Sequence, residues 1–149
     1  MADSRPDTLD HIRKVQGRIS EVQGHLHDRA MQHDLSKLSE PEKSGYDRIT
    51  EQLSTLVYGS DEYRAALKAN KPTIDHHYAV NSHHPEHYEN GIAGMSLLDV
   101  IEMLCDWKAA SERTKQGSIA ASLAHNKERF GISDQLARIL ENTVKELGW

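Results

Sequence analysis

Residues 96–107 read SLLDVIEMLCDW. Eight of the eleven residues from Leu97 to Trp107 are apolar, and a helix apolar almost all round is a central, buried one. Ser96 with Asp99 forms the capping-box pattern that opens such a helix. The polar members, Asp99, Glu102 and Asp106, are spaced three and four apart and so lie on one stripe. The cap accounts for Asp99. Glu102 and Asp106 have no such explanation, because an ionised carboxylate in a core is costly unless it is paired or bound to a metal. Two readings follow: a buried ion pair to Arg or Lys, or a metal ligand or general base. Cys105, beside Asp106 and with no electropositive surround evident, reads as a small buried hydrophobe.

Outward from this stretch the periodicity stays helical. Leu9, Ile12, Val15, Ile19, Val22 and Leu26 step by three and four from a start at Asp7. A second segment spans about 24–38. Ser39 with Glu42 reads as another capping box, with Pro41 in the first turn, opening a helix that carries Tyr46, Ile49, Leu53 and Leu56. Ser60 caps a short helix through Leu67. Pro72 starts a fifth, which must stop by His84 because Pro85 follows. Residues 85–95 read as a loop, and the helix opened by Ser96 is expected to last until Gly117. Helices from about Ser118 to Gly131 and from Ser133 to Gly148 complete the chain. The last carries Leu136, Ile139, Leu140, Val144 and Leu147, a stripe for core packing or for a homodimer face. No strand-length alternation of apolar and polar residues is present. The expectation is an all-α chain of eight helices, a single domain over 1–149, with its site in about 8–115 and C-terminal helices over about 118–147.

The chain has 149 residues, 37% hydrophobic and 28% charged, with a formal charge of -5. That balance suits a folded core and argues against a nucleic-acid polymer as partner, which needs a basic surface. No run approaches the ~20 apolar residues of a membrane span. The N-terminus MADSRPDT lacks the apolar core of a secretory signal. The single cysteine excludes an intramolecular disulfide and suits a reducing cytoplasm.

The unusual number is ten histidines, nine of them between His11 and His87. His33-Asp34 lies within QHDLSK, a pairing of imidazole and carboxylate suited to Mn, Fe, Co, Ni or Zn. The second cluster is DHHYAVNSHHPEH, residues 75–87. On a continuous helix His77, Asn81 and His84 would share a face and His76 and His83 the neighbouring one. Such a cluster is either a solvated surface or, the reading favoured here, a partial ligand set. His11 can join only if the chain reverses: on one straight helix it lies about 33 Å from His33. The metal reading therefore predicts a break at residues 22–25. His25, His27, His87 and His125 read as bystanders, and His76 as a neighbour of the site.

The order His11, His33-Asp34, a histidine cluster and then Asp106 on a buried helix resembles the HD-domain superfamily of metal-dependent phosphohydrolases. HDLSK resembles that superfamily's HD-hydrophobic-x-K form. NSHHPEHYENG resembles a segment of the cyclic-dinucleotide-cleaving branch, whose Gly-Tyr-Pro triplet is absent. The nearest likeness, over about 8–115, is to small bacterial and phage proteins of unassigned function sharing HD-x-SK, H-x3-N-x-HHPE and EMLxDW. The resemblance implies an HD-like helical bundle. It implies His11, His33, Asp34 and Asp106 as the basic metal-ligand set, and His77 with His83 or His84 as additional ligands for one or two divalent transition-metal ions. It assigns Lys37 to a substrate phosphate, with Arg29, Lys108 and Arg113 as further anion contacts.

The implied activity is a phosphohydrolase acting on a small nucleotide or other phosphomonoester, with Asp34 or Glu102 taking a proton from water. Two rivals use the same residues: a di-iron HD-type oxygenase, and a non-catalytic metal-binding module.

Overall fold

The computed structural model describes residues 3–56, 60–113 and 115–149. The protein is all-α, with seven α-helices and no strand among the described residues. The chain divides into two units, one ending at His33 and the other starting at Asp34.

The first unit is one helix, α1 (Arg5–Gln32), 28 residues long. The break predicted at residues 22–25 does not occur. One glycine inside a helix costs only about 1 kcal/mol. No neighbouring atom lies where a Cβ at Gly24 would sit, so no close approach demands the glycine. The apolar rhythm runs through the position without interruption. The two expected segments are therefore one helix, and seven helices replace eight. No side chain of α1 is buried, and Leu9, Ile12, Val15, Ile19 and Val22 are 41–55% exposed.

The second unit opens with a 3-10 turn (Leu35–Leu38). It continues through α2 (Glu42–Leu53), α3 (Asp61–Ala69) and α4 (Lys71–Val80). Two further 3-10 turns (Pro85–His87, Gly91–Gly94) lead to α5 (Leu97–Ser111), α6 (Ile119–Phe130) and α7 (Asp134–Leu147). Several starts fall where the sequence put them. The Ser60 hydroxyl accepts from the Tyr63 amide, Ser118 from Ala121, and Ser133 from Leu136. The Ser96–Asp99 capping box forms in both directions. α6 and α7 stop at Gly131 and Gly148, whose positive φ supplies the left-handed residue that ends a helix.

The core lies where α5, α6 and α7 meet. Val100, Met103 and Leu104 pack with Ile119, Leu123, Ile132, Ala137, Leu140 and Val144, and Trp107 stacks on Phe130. α5 is nevertheless buried on one side only: Leu97 is 70% exposed, and Cys105 is exposed rather than a core hydrophobe. It ends at Ser111, short of Gly117, as the sequence turns polar. In α7, Leu140 and Val144 enter the core while Ile139 and Leu147 stay half exposed. No helix of the described residues is long and apolar enough to cross a membrane.

Candidate metal centre

Two departures from helical geometry build the site. The first is at Asp34, which adopts φ 58° and ψ 10°, the left-handed region where Asp is among the few tolerated residues. Its Oδ2 takes a hydrogen bond from Lys37 Nζ at 2.6 Å. The second is at Asn81, where α4 ends and the backbone turns extended, φ -119° and ψ 104°. The Asn81 side-chain amide donates to the His77 carbonyl at 2.8 Å and to Ser36 Oγ at 2.9 Å. The chain then doubles back, so His83 and His84 return beside His77. The expected shared helical face of His77, Asn81 and His84 is thus replaced by a turn that brings the same rings together.

Asp99 anchors this turn. Its carboxylate is buried and accepts from Ser82 Oγ (2.7 Å), Tyr88 OH (2.9 Å), and Ser96 N and Oγ (2.8 and 2.6 Å). Burial alone would raise the Asp99 carboxyl, but these hydrogen bonds outweigh it and hold it well below the usual carboxylate range. A cap at the start of α5 therefore also fixes the backbone that carries His83.

Four donor atoms converge. His77 Nε2 lies 3.2 Å from Asp34 Oδ1 and 3.0 Å from His84 Nε2, and His83 Nε2 lies 3.5 Å from Asp34 Oδ1. One ligand atom from each of Asp34, His77, His83 and His84 lies within 4.8 Å of the others. Burial, with His83 and His77 alongside, pushes His84 down to about 3. Its ring is therefore neutral near pH 7 and has a lone pair to offer. An oxygen of Asp106 also lies within 4.8 Å of Asp34. Three imidazoles and one or two carboxylates are the donor set of a divalent transition metal. The residues present fit such an ion.

Carboxylates stand behind two of these rings. His83 Nδ1 meets Glu102 Oε1 at 3.1 Å, and His77 Nδ1 meets Glu42 Oε2 at 2.9 Å. Glu42 is fully buried. It also takes hydrogen bonds from Ser36 Oγ at 2.9 Å and His76 Nδ1 at 2.8 Å. Burial works to raise the Glu42 carboxyl, but its hydrogen bonds with His76, His77 and Ser36 leave it below the ordinary value. Tyr46 sets its ring edge against His77 and carries Lys37 over its face, 5.2 Å from the centroid. Burial first, and then the charges of Glu42 and Asp34, push the Tyr46 phenol up.

The structure therefore gathers Asp34, His77, His83 and His84, with both members of the His83-His84 pair at the cluster and Asp106 beside it. Lys37 rests on Asp34. Glu102 lies behind His83, not among the converging atoms, so its geometry suits orienting that ring rather than acting as the base. His33 closes the first unit, one peptide bond from Asp34. His11 leaves the site. α1 is unbroken, and a helical rise of 1.5 Å per residue keeps His11 about 33 Å from His33. His25, His27, His87 and His125 are exposed, and His76 contacts Glu42. Lys108, one candidate for anion contact, is paired with Glu112 at 2.8 Å.

Sequence reasoning missed Glu42. It read as the partner of Ser39 in a capping box, but α2 starts behind Pro41 with no side-chain cap and turns Glu42 inward. The available signal was a carboxylate closely following His33-Asp34.

No curated protein and no solved structure matches the chain. A family model does match, over residues 1–146. With nearly the whole chain covered, the protein belongs to DUF5662, a family of unknown function.

Proposed function

We propose that the protein is a metal-dependent phosphohydrolase acting on a small nucleotide or another phosphomonoester. The observation that carries this reading is the convergence of Asp34 Oδ1 with the Nε2 atoms of His77, His83 and His84. These residues would hold the metal, with Asp106 as a further carboxylate. A divalent ion bound there lowers the pKa of its water and polarises a phosphoryl oxygen. Lys37 is the nearby cation, partly exposed, and it can exchange Asp34 for a substrate phosphate. Asp34 and Asp106 are carboxylates within reach of a proton released at the cluster. A reducing compartment such as the cytoplasm suits the one thiol, Cys105.

The test is metal analysis of protein purified without chelators, followed by phosphate release from a panel of nucleotides and phosphomonoesters with Mn, Co, Ni or Zn. Release that His77→Ala abolishes supports the proposal. No release from any substrate by the metal-loaded protein overturns it. Two bound irons with an oxygen-sensitive absorption would point to the oxygenase instead.

A further inference from the structure

We infer that Glu42 is a positioning residue of this centre, fixing His77 so that its Nε2 lone pair faces the other three donors. The inference rests on the metal-centre reading. It stands on geometry that the four ligands do not contain.

An ionised carboxylate can only accept hydrogen bonds. Glu42 Oε2, 2.9 Å from His77 Nδ1, therefore needs the proton on Nδ1. Asn81 Nδ2 also lies 3.0 Å from that nitrogen. The amide is a donor and already has acceptors in Ser36 Oγ and the His77 carbonyl, so it does not need a lone pair on Nδ1. With Nδ1 protonated, Nε2 carries the lone pair, and Nε2 is the atom that faces Asp34 and His84. A carboxylate behind a ligating imidazole fixes its tautomer and orientation and raises its basicity.

The setting makes Glu42 more than a surface ion pair. It is fully buried, His77 is 1% exposed, and Ser36 and His76 occupy two more of its acceptor positions. The buried carboxylate has no water to turn to, and a flip of the ring would take away one of its three hydrogen-bond partners. His83 repeats the arrangement with Glu102.

The experiment titrates cobalt(II) into wild type, Glu42→Gln and His76→Ala, following the visible d–d bands. Circular dichroism confirms that each is folded. Glu42→Gln keeps the shape but loses the charge and the demand for a proton on Nδ1. Its cobalt affinity should fall about 10- to 100-fold, with altered bands. His76→Ala touches the same carboxylate but no converging atom, so it should stay within about threefold of wild type. Wild-type affinity and bands in folded Glu42→Gln overturn the inference and leave the metal reading standing. So does an equal loss in His76→Ala, which would reduce Glu42 to general packing. A wild type that binds no cobalt overturns both. Should Glu42→Gln not fold, imidazole 15N shifts of the zinc-loaded wild type decide. A proton on His77 Nδ1 with zinc on Nε2 supports the inference, and the reverse tautomer overturns it.

Discussion

Acidifying the metal-free protein from pH 7 to pH 5 should destabilise it through His84. The ring packs against His83, Tyr78 and His77, with centroids 4.1, 4.8 and 4.8 Å away. Burial and the neighbouring histidines lower it from 6.5 to about 3. Above pH 6.5 the ring is neutral whether the chain is folded or not, and nothing is lost. Below 6.5 the unfolded chain takes a proton that the folded chain refuses until about pH 3, so stability falls as pH falls through that window. At pH 5 the interval is about 1.5 pH units, worth about 2 kcal/mol at 1.36 kcal/mol per unit. That is a large part of the ~5–15 kcal/mol that holds a domain together. The assay is urea unfolding with chelator present, followed by far-UV circular dichroism, for wild type and His84→Gln. Other titrating groups contribute to both proteins and largely cancel in the comparison. Wild type should lose about 2 kcal/mol more than the variant between pH 7 and pH 5. Equal losses would refute the argument, because His84 would then titrate alike in the folded and unfolded chain.

Asp99→Ala should remove the N3 half of the capping box and leave the Ser96 amide and the hydroxyls of Ser82 and Tyr88 without their acceptor, at about 1 kcal/mol or more each. A net cost of about 3 kcal/mol lowers the melting temperature by about 6–12 °C for a chain of this size, and a calorimetric shift under about 3 °C would contradict it. Gly45→Ala sets two effects against each other. Alanine gains up to about 1 kcal/mol of helix propensity in α2. The added Cβ, however, would overlap the Thr73 side chain on α4, and overpacking costs about 1–3 kcal/mol. The variant should therefore be less stable in urea unfolding, with Thr73→Ala restoring part of the loss in the double mutant, because the Cβ at position 73 still lies close to the added one.

Local rules made much of the chain legible in sequence. Ser60, Ser96, Ser118 and Ser133 start helices and Gly131 and Gly148 end them, because a cap depends only on residues within one turn. His77, His83 and His84 stood out as part of a histidine cluster within residues 75–87, and Asp34 through the His33-Asp34 pair and the resemblance it carries. Context beyond one turn misled the reading. Gly24 is continued through by α1, since one glycine is too weak a signal to outweigh an apolar rhythm on both sides of it. His11 depended wholly on that reversal and falls with it.

The sequence by itself therefore determined the all-α class and most helix starts, and it offered Asp34, His77, His83 and His84 among a larger set of candidate ligands. The tertiary structure decided how those donors meet. His77 and His84 approach because α4 stops at Asn81 and the chain turns there, held by Ser82 on Asp99, not because helical periodicity stacks them. Glu42 acquires its place only when α2 packs beside α4. A carboxylate at a helix start costs nothing in water, and only burial against His76, His77 and Ser36 makes its charge decide which way a ring faces.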